Sequence, residues 1–272
     1  MNNGSIFPGI ARLRLLPRIW CRHRHSSRDY YHRRKPSPPQ PPSPAILERL
    51  ISKLPPRYTS DDLVALLSSE RNPKNCLNLF IHAIQKNTRF KPQTSVYLIT
   101  IKKLGSAKHY LAMDGVAAQA LANSAILSPE LMNTLIFYYS QARMLTKAVD
   151  VYKTMRDSDD PSVRPSLVTY NLLFAALLTR EGNSFINHMY MENVRCLFRQ
   201  MIDADIEPDI LTLNAVIKGY VLSLHVNDAL RVFHQMNGLV YKCPPDDETY
   251  NWIVHGLCAQ GRTEMRGRCW MR

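Results

Sequence analysis

Residues 207–220 read EPDILTLNAVIKGY, and the core of that phrase, a Pro followed by x-x-x-T-x-N, returns twice more. RPSLVTYNLLFAAL begins at Arg164 and PPDDETYNWIVHGL begins at Pro244. The asparagines act as a ruler: Asn171 to Asn214 is 43 residues and Asn214 to Asn251 is 37. Upstream, SPELMNTLIFYYS carries the same apolar pattern with Asn133, 38 residues before Asn171. TSVYLITIKKLG puts Leu98 at that place, 35 residues earlier, and TSDDLVALLSSE puts Leu63 there after a further 35. The chain is a repeat with a basic period of 35, lengthened by insertions in its later copies.

One period reads as two helices. In Ile210 to Asp246 the apolar residues Leu213, Val216, Ile217, Tyr220 and Val221 recur at spacings of three and four, which places them on one helix face. HVND then supplies a turn, with Asn227 placed to cap the second helix. That helix sets Ala229, Leu230, Val232, Phe233 and Met236 on its own apolar face, and Pro244-Pro245 closes the unit. In the preceding unit about eight extra residues around GNSFINHMYM lengthen the loop or the helices at the junction. A single pair of such helices cannot bury its apolar face, so neighbouring pairs must stack. The expected fold is all-α, a right-handed α-α solenoid of stacked hairpins with the first helix of each pair lining the concave side.

Charge is uneven. The net charge is +13, but residues 1–47 hold nine of the 35 Lys/Arg and one of the 22 acidic residues, so +8 lies there and only +5 in the rest. The body is therefore mildly basic, which by itself says little about nucleic acid. From Met1 to Arg28 there is no acid, and Arg12, Arg14, Arg18, Arg22, Arg24 and Arg28 alternate with Leu13, Leu15, Leu16, Ile19 and Trp20. That is the composition of an organelle transit peptide, and its arginine density points to a mitochondrion rather than a plastid. A basic tail that binds acidic partners has the same composition. PSPPQPPSP at 36–44 reads as an extended spacer. No apolar run reaches 18 residues, so a membrane span is not expected. The six cysteines, at 21, 76, 196, 243, 258 and 269, form no C-x-x-C and no metal-ligand cluster with histidine. Their scatter fits free thiols in a reducing compartment.

VTYNLLFAAL…VRCLFRQMIDADIEPD and LTLNAVIKGY…NDALRVFHQM resemble pentatricopeptide repeats, which typically read V-T-Y-N-x-L-I-x-x-L, then E-A-x-x-x-F-x-x-M, then G-x-x-P-D. The resemblance is strong over 167–256, fair over 129–166 and degenerate over 59–128, and it is of the plant, organelle-targeted, P-class type. The expected organisation is a transit peptide over 1–35, a Pro-rich linker and lead-in over 36–58, and two degenerate repeats over 59–128. Repeats follow at 129–166, 167–209 and 210–246, with an incomplete one at 247–272, as in a truncated product.

The resemblance implies binding of single-stranded RNA, about one base per repeat. The positions that match the family's base-reading pair are Asn133 with Ser166, Asn171 with Asp209, and Asn214 with Asp246, and Asn251 begins a further pair. Asn with Asp resembles the uracil-preferring pair and Asn with Ser the cytosine-leaning one, which implies C/U-U-U from 5′ to 3′. Val168 and Leu211 match the apolar residues that pack against a base. Glu130 and Glu248 depart from that pattern, and Leu98 and Leu63 cannot hydrogen-bond a base. Asparagine is also favoured at helix starts, where its bond would be structural.

No catalytic module is legible: there is no H-x-E followed by C-x-x-C of a zinc deaminase, and the histidines are scattered. The reading is a non-enzymatic RNA adaptor without cofactor or metal, acting in organellar RNA stability, processing, splicing or translation. Its partner would be single-stranded organellar RNA in the mitochondrial matrix, with RNA-processing or ribosomal proteins as further partners. The alternative is an α-solenoid scaffold for protein, for example on the mitochondrial ribosome.

Overall fold

A computed structural model describes residues 44–261 apart from 56, 87–89, 179–183, 237 and 239, with backbone only at 44–46, 86 and 184–190. The expected transit peptide, the proline run over 36–43 and the tail over 262–272 lie outside those residues. All the described secondary structure is helical. A lead-in helix, α1 (Pro44–Ile51), precedes five helix pairs and one further helix. The first helices of the pairs are α2 (Ser60–Ser69), α4 (Thr94–Ser106), α6 (Pro129–Gln141), α8 (Leu167–Leu178) and α10 (Ile210–Leu222). Their second helices are α3 (Pro73–Lys86), α5 (Tyr110–Leu121), α7 (Leu145–Arg156), α9 (Ser184–Asp203) and α11 (Val226–Met236), and α12 (Asp247–Ala259) follows as a sixth first helix.

Each first helix packs on the first helix of the next unit, in the order α2, α4, α6, α8, α10, α12, to make one continuous layer. The second helices α5, α7, α9 and α11 cover one side of that layer by packing on their own first helix and on the next, and α3 lies on α4 and α1. One apolar core runs through the stack. Leu63, Leu67, Phe80, Ile101, Leu131, Leu135, Phe174 and Ile217 are all closed to solvent. Burying a side chain of that size stabilises by about 1.5–3 kcal/mol relative to leaving it exposed. The stack is thus the all-α solenoid that the 35-residue ruler predicts.

Local chemistry sets the register. Thr59, Ser128, Asp209 and Asp246 cap α2, α6, α10 and α12, each side chain accepting the backbone N–H three residues on. Pro129 stands at the first position of α6, where its missing N–H costs nothing. At the other end, α4, α6, α9 and α10 close on Lys108, Arg143, Asp205 and Leu224, all with φ between 58° and 64°. The next residue in each case donates back to a carbonyl of the last helical turn (His109 to Leu104, Met144 to Tyr139, Ile206 to Met201, His225 to Tyr220), which is a Schellman closure. Between α4 and α6 the Tyr138 ring packs so closely on Gly105 that a Cβ there would run into it.

Two sequence expectations change, and one left open between two alternatives is decided. The cap of α2 is Thr59, so the residue five places on is Val64 and not Leu63. Leu63 belongs one position earlier, in the buried set with Tyr97, Met132, Tyr170 and Leu213. The first unit is one residue shorter than the ruler assumed. Asn227 is not a cap. The closure at Leu224 turns the chain so tightly that α11 already begins at Val226. The insertion before residue 203 extends a helix: α9 has 20 residues against 12 in α7 and 11 in α11.

Candidate nucleic-acid interface

Counted from the cap, position five of each first helix is Val64, Leu98, Asn133, Asn171, Asn214 and Asn251. Position two lies on the same face, three residues away. It is held by Val168 and Leu211, which stand 58% and 59% exposed although they are large and apolar. Position nine, four residues beyond, continues the face with Lys102, Phe137, Ala175, Lys218 and His255. Positions two, five and nine thus share one face of each first helix; the amide recurs in α6, α8, α10 and α12, the apolar residue in α8 and α10, and α10 alone among the described helices joins both to a basic residue, Lys218.

The asparagines do not cap helices. Asn133, Asn171 and Asn214 are bonded instead to the start of the next first helix. Asn171 Nδ2 donates to both carboxylate oxygens of Asp209, at 3.2 and 3.0 Å, while its Oδ1 accepts from Thr212 Oγ1 at 2.7 Å. Asn214 repeats the arrangement: Nδ2 donates to Asp246 Oδ1 at 3.0 Å and Oδ1 accepts from Thr249 Oγ1 at 2.5 Å. Asn133 accepts from Thr169 Oγ1 at 2.8 Å, and at that junction the cap residue is Ser166, which has no carboxylate to take the amide N–H. Asp209 and Asp246 each also accept the backbone N–H of their threonine, at 2.8 and 2.9 Å. So two of the predicted partners, Asp209 and Asp246, are brought to their asparagines as helix caps that bridge two repeats, while Ser166 bonds to Thr169, which in turn holds Asn133.

Electrostatics follow from those bonds. The Asp246 carboxyl sits below the ordinary carboxylate range: desolvation works the other way, but the Thr249 N–H, the Asn214 amide and the Thr249 hydroxyl outweigh it. The asparagines are not equally open. Asn251 is exposed, Asn133 and Asn171 are half-buried, and Asn214 is only 3% exposed. Glu130, at position two of α6, is held by Lys102 at 2.7 Å, while Glu248 accepts from Trp252 Nε1 at 3.3 Å. Both therefore have partners on the face and neither offers an apolar surface.

Two features of the face were not read from the sequence. Phe137, four residues beyond Asn133, is 43% exposed and adds an aromatic surface to the face. Lys218 lies 4.9 Å over the Trp252 ring, so a cation is fixed beside Asn214. The i to i+4 spacing from the asparagine would have found both. The threonines Thr169, Thr212 and Thr249 were missed because their partners are 35 to 41 residues away in the chain. Among the described residues no group of three His, Cys, Asp or Glu is placed to hold a metal ion, and no helix is long and apolar enough to cross a membrane.

Stacked helix pairs with a continuous layer of first helices define an α-solenoid repeat protein. A profile of the PPR repeat family matches residues 208–259, and a PPR repeat profile matches 130–159. The Arabidopsis thaliana "Pentatricopeptide repeat-containing protein At2g27800, mitochondrial" is 49% identical over 226 residues, covering 80% of this chain and 51% of its own. The Arabidopsis "Small ribosomal subunit protein mS78 (rPPR3a)" is 24% identical over 157 residues, covering 58% of this chain and 37% of its own. Among solved structures, the pentatricopeptide repeat protein PPR10 in complex with an 18-nt psaJ RNA element superposes with a TM-score of 0.57 at 18% identity. That match covers 81% of this chain and 30% of PPR10. The chain belongs to the pentatricopeptide repeat family, and it spans about half the length of At2g27800.

Proposed function

We propose that this chain is a sequence-selective adaptor for single-stranded RNA that acts in mitochondrial RNA metabolism after transcription. The observation that carries the reading is the row of amides: Asn133, Asn171 and Asn214 occupy the same position of three consecutive stacked helices, each tied to the start of the next. An amide can meet a Watson–Crick edge, and the exposed Val168 and Leu211 offer apolar surface for a base face. In this reading the repeats led by Asn133, Asn171 and Asn214 take successive bases, with C/U-U-U preferred from 5′ to 3′. Ser166, Asp209 and Asp246 tune the choice, and Asn251 begins the next pair. The closed position of Asn214 makes the third base the weakest contact. A strand laid on the face would be shielded from nucleases and from competing RNA folds, which serves stability, processing, splicing or translation alike. The name of At2g27800 places that relative in the mitochondrion, which supports the same address here.

The test is binding of the chain to short RNAs containing CUU or UUU against AAA controls, with an Asn171→Ala/Asn214→Ala double variant. Pyrimidine preference in the wild type, lost in the variant without loss of helicity, supports the reading. A folded protein with no affinity for any of these RNAs overturns it. Affinity must also fall as salt rises, because each neutralised phosphate releases counterions. A second reading, a scaffold for protein, has its own support in the similarity to the ribosomal protein mS78 and in the paired glutamates at Glu130 and Glu248. Salt-insensitive binding to a ribosomal partner, without RNA, would favour it.

A further inference from the structure

An asparagine amide is nearly symmetric in shape, and only its hydrogen bonds decide which end is the donor. On this face that decision is made by the next repeat. Thr169, Thr212 and Thr249 stand at the third position of α8, α10 and α12, and all three are closed to solvent. Their hydroxyls must therefore bond to protein. Thr169 and Thr249 accept the backbone N–H of Ser166 and Asp246, both at 3.1 Å, which turns the hydroxyl proton away from that N–H. The proton then faces Asn Oδ1, at 2.8 Å from Thr169 and 2.5 Å from Thr249. Thr212 stands the same way, 2.7 Å from Asn171 Oδ1. In the two C-terminal junctions the carboxylates of Asp209 and Asp246 take the amide N–H and enforce the same orientation from the other end. These carboxylates also lie within reach of the threonine hydroxyl, at 2.9 and 2.8 Å, so the proton there has two acceptors. At Asn133, where the cap is Ser166, the threonine hydroxyl alone sets the orientation.

The pairing is matched along the chain. Wherever position five is an asparagine and a next first helix exists, position three of that helix is a threonine: Asn133 with Thr169, Asn171 with Thr212, Asn214 with Thr249. Where position five is apolar, so is its partner position: Val64 with Val96, Leu98 with Leu131. We propose that Thr169, Thr212 and Thr249 are positioning residues, each fixing the amide orientation of the asparagine one repeat earlier. The base preferred by a repeat is then set partly by the repeat that follows it. The inference rests on the RNA reading above. With Oδ1 turned to the threonine, the amide shows the strand one N–H and one remaining lone pair in a fixed order. A flipped amide would exchange donor and acceptor and so exchange the base edge that fits.

The test uses the chain with a fixed RNA of CUU core, in which each base of the core is varied singly, and the variants Thr169→Val, Thr169→Ser and Thr212→Val. Valine fits the site, since Val96 occupies the same position in α4 and is closed to solvent. In the wild type the base facing Asn133 is expected to be discriminated by about tenfold, the worth of roughly one hydrogen bond. Thr169→Val is expected to cut that to about twofold or less at this base while leaving the other two bases unchanged, and Thr169→Ser to restore it. Thr212→Val is expected to have a smaller effect at the base facing Asn171, because Asp209 still holds that amide. If Thr169→Val keeps wild-type discrimination, or weakens all three bases equally while thermal unfolding shows a destabilised protein, the threonine is structural only and the inference fails. If the wild type discriminates bases at no position, the RNA reading itself fails and this inference with it.

Discussion

The junction between α4 and α6 and the junction between α8 and α10 have the same helix order and opposite chemistry. In the first, Leu98 and Leu131 stand where the second has Asn171 and Thr212. The polar links of the α4–α6 junction lie away from that position: Lys102 to Glu130 at 2.7 Å, Ser106 to Tyr138 at 2.8 Å and Thr94 to the Ile126 carbonyl at 2.7 Å. Both junctions stack. A buried amide–hydroxyl–carboxylate set is therefore not required to build the solenoid, and its net contribution to stability is small once desolvation is counted. The comparison teaches that Asn133, Asn171 and Asn214 are a polar row laid over a core that is sufficient without it. This separation of core from row is what a base-reading face needs.

The separation can be broken most forcefully in the core. Phe80 lies under the apolar junctions and Phe174 under the polar ones, and both are closed to solvent. Phe80→Ala and Phe174→Ala are each expected to cost about 3–5 kcal/mol in urea unfolding, with neither region favoured. A much smaller loss at Phe174 would mean that the polar row carries the C-terminal stack. Next in size, Leu98→Asn with Leu131→Thr rebuilds the Asn133–Thr169 arrangement one repeat earlier, beside a serine cap, Ser128, that already exists. The double change is expected to lower stability by about 1–3 kcal/mol, because polar groups enter an apolar site. It should also add a discriminated base on the 5′ side, read by the same oligonucleotide scan.

Smaller still is the effect at the helix closures. Leu224 holds φ at 64° and is 53% exposed, so Leu224→Gly relieves strain without opening the core. A gain of about 0.5–1 kcal/mol is expected after the entropic cost of glycine, seen as a rise in Tm. The smallest effect is the pH response of the α10–α12 junction. The Asp246 pKa is lowered on folding, so its contribution is present above the ordinary carboxylate range and is lost as pH falls through the lowered value. Protection of the α12 amides, taken relative to their intrinsic exchange rates at each pH, should fall across that acid window in the wild type, and Asp246→Asn should remove that pH dependence.

Much of the fold was legible because period and cap coincide in the later repeats. Leu98, Asn133, Asn171, Asn214 and Asn251 are all five residues past a cap, so the ruler that began at Asn214 landed on the true register for five units. It slipped by one in α2 because nothing in TSDDLVALLSSE marks the cap except Thr59 and Asp62, whose capping box is visible only as a local pair. The candidate site was legible as residue types and not as connections. Asn171 and Asp209 could be named from a pattern, but the bond from Thr212 to Asn171 joins residues 41 apart and exists only once the helices stack. The exposure of Asn214, at 3%, was equally out of reach, since it depends on how closely α12 closes over α10.

The measurement that tests the account most directly is a single-base substitution scan of an RNA with a CUU core bound to the wild-type chain, read as a change in Kd at each position. Penalties are expected at three adjacent positions only, largest at the two facing Asn133 and Asn171 and smaller at the one facing Asn214. Penalties spread evenly along the RNA, or absent at every position while binding persists, would contradict that expectation.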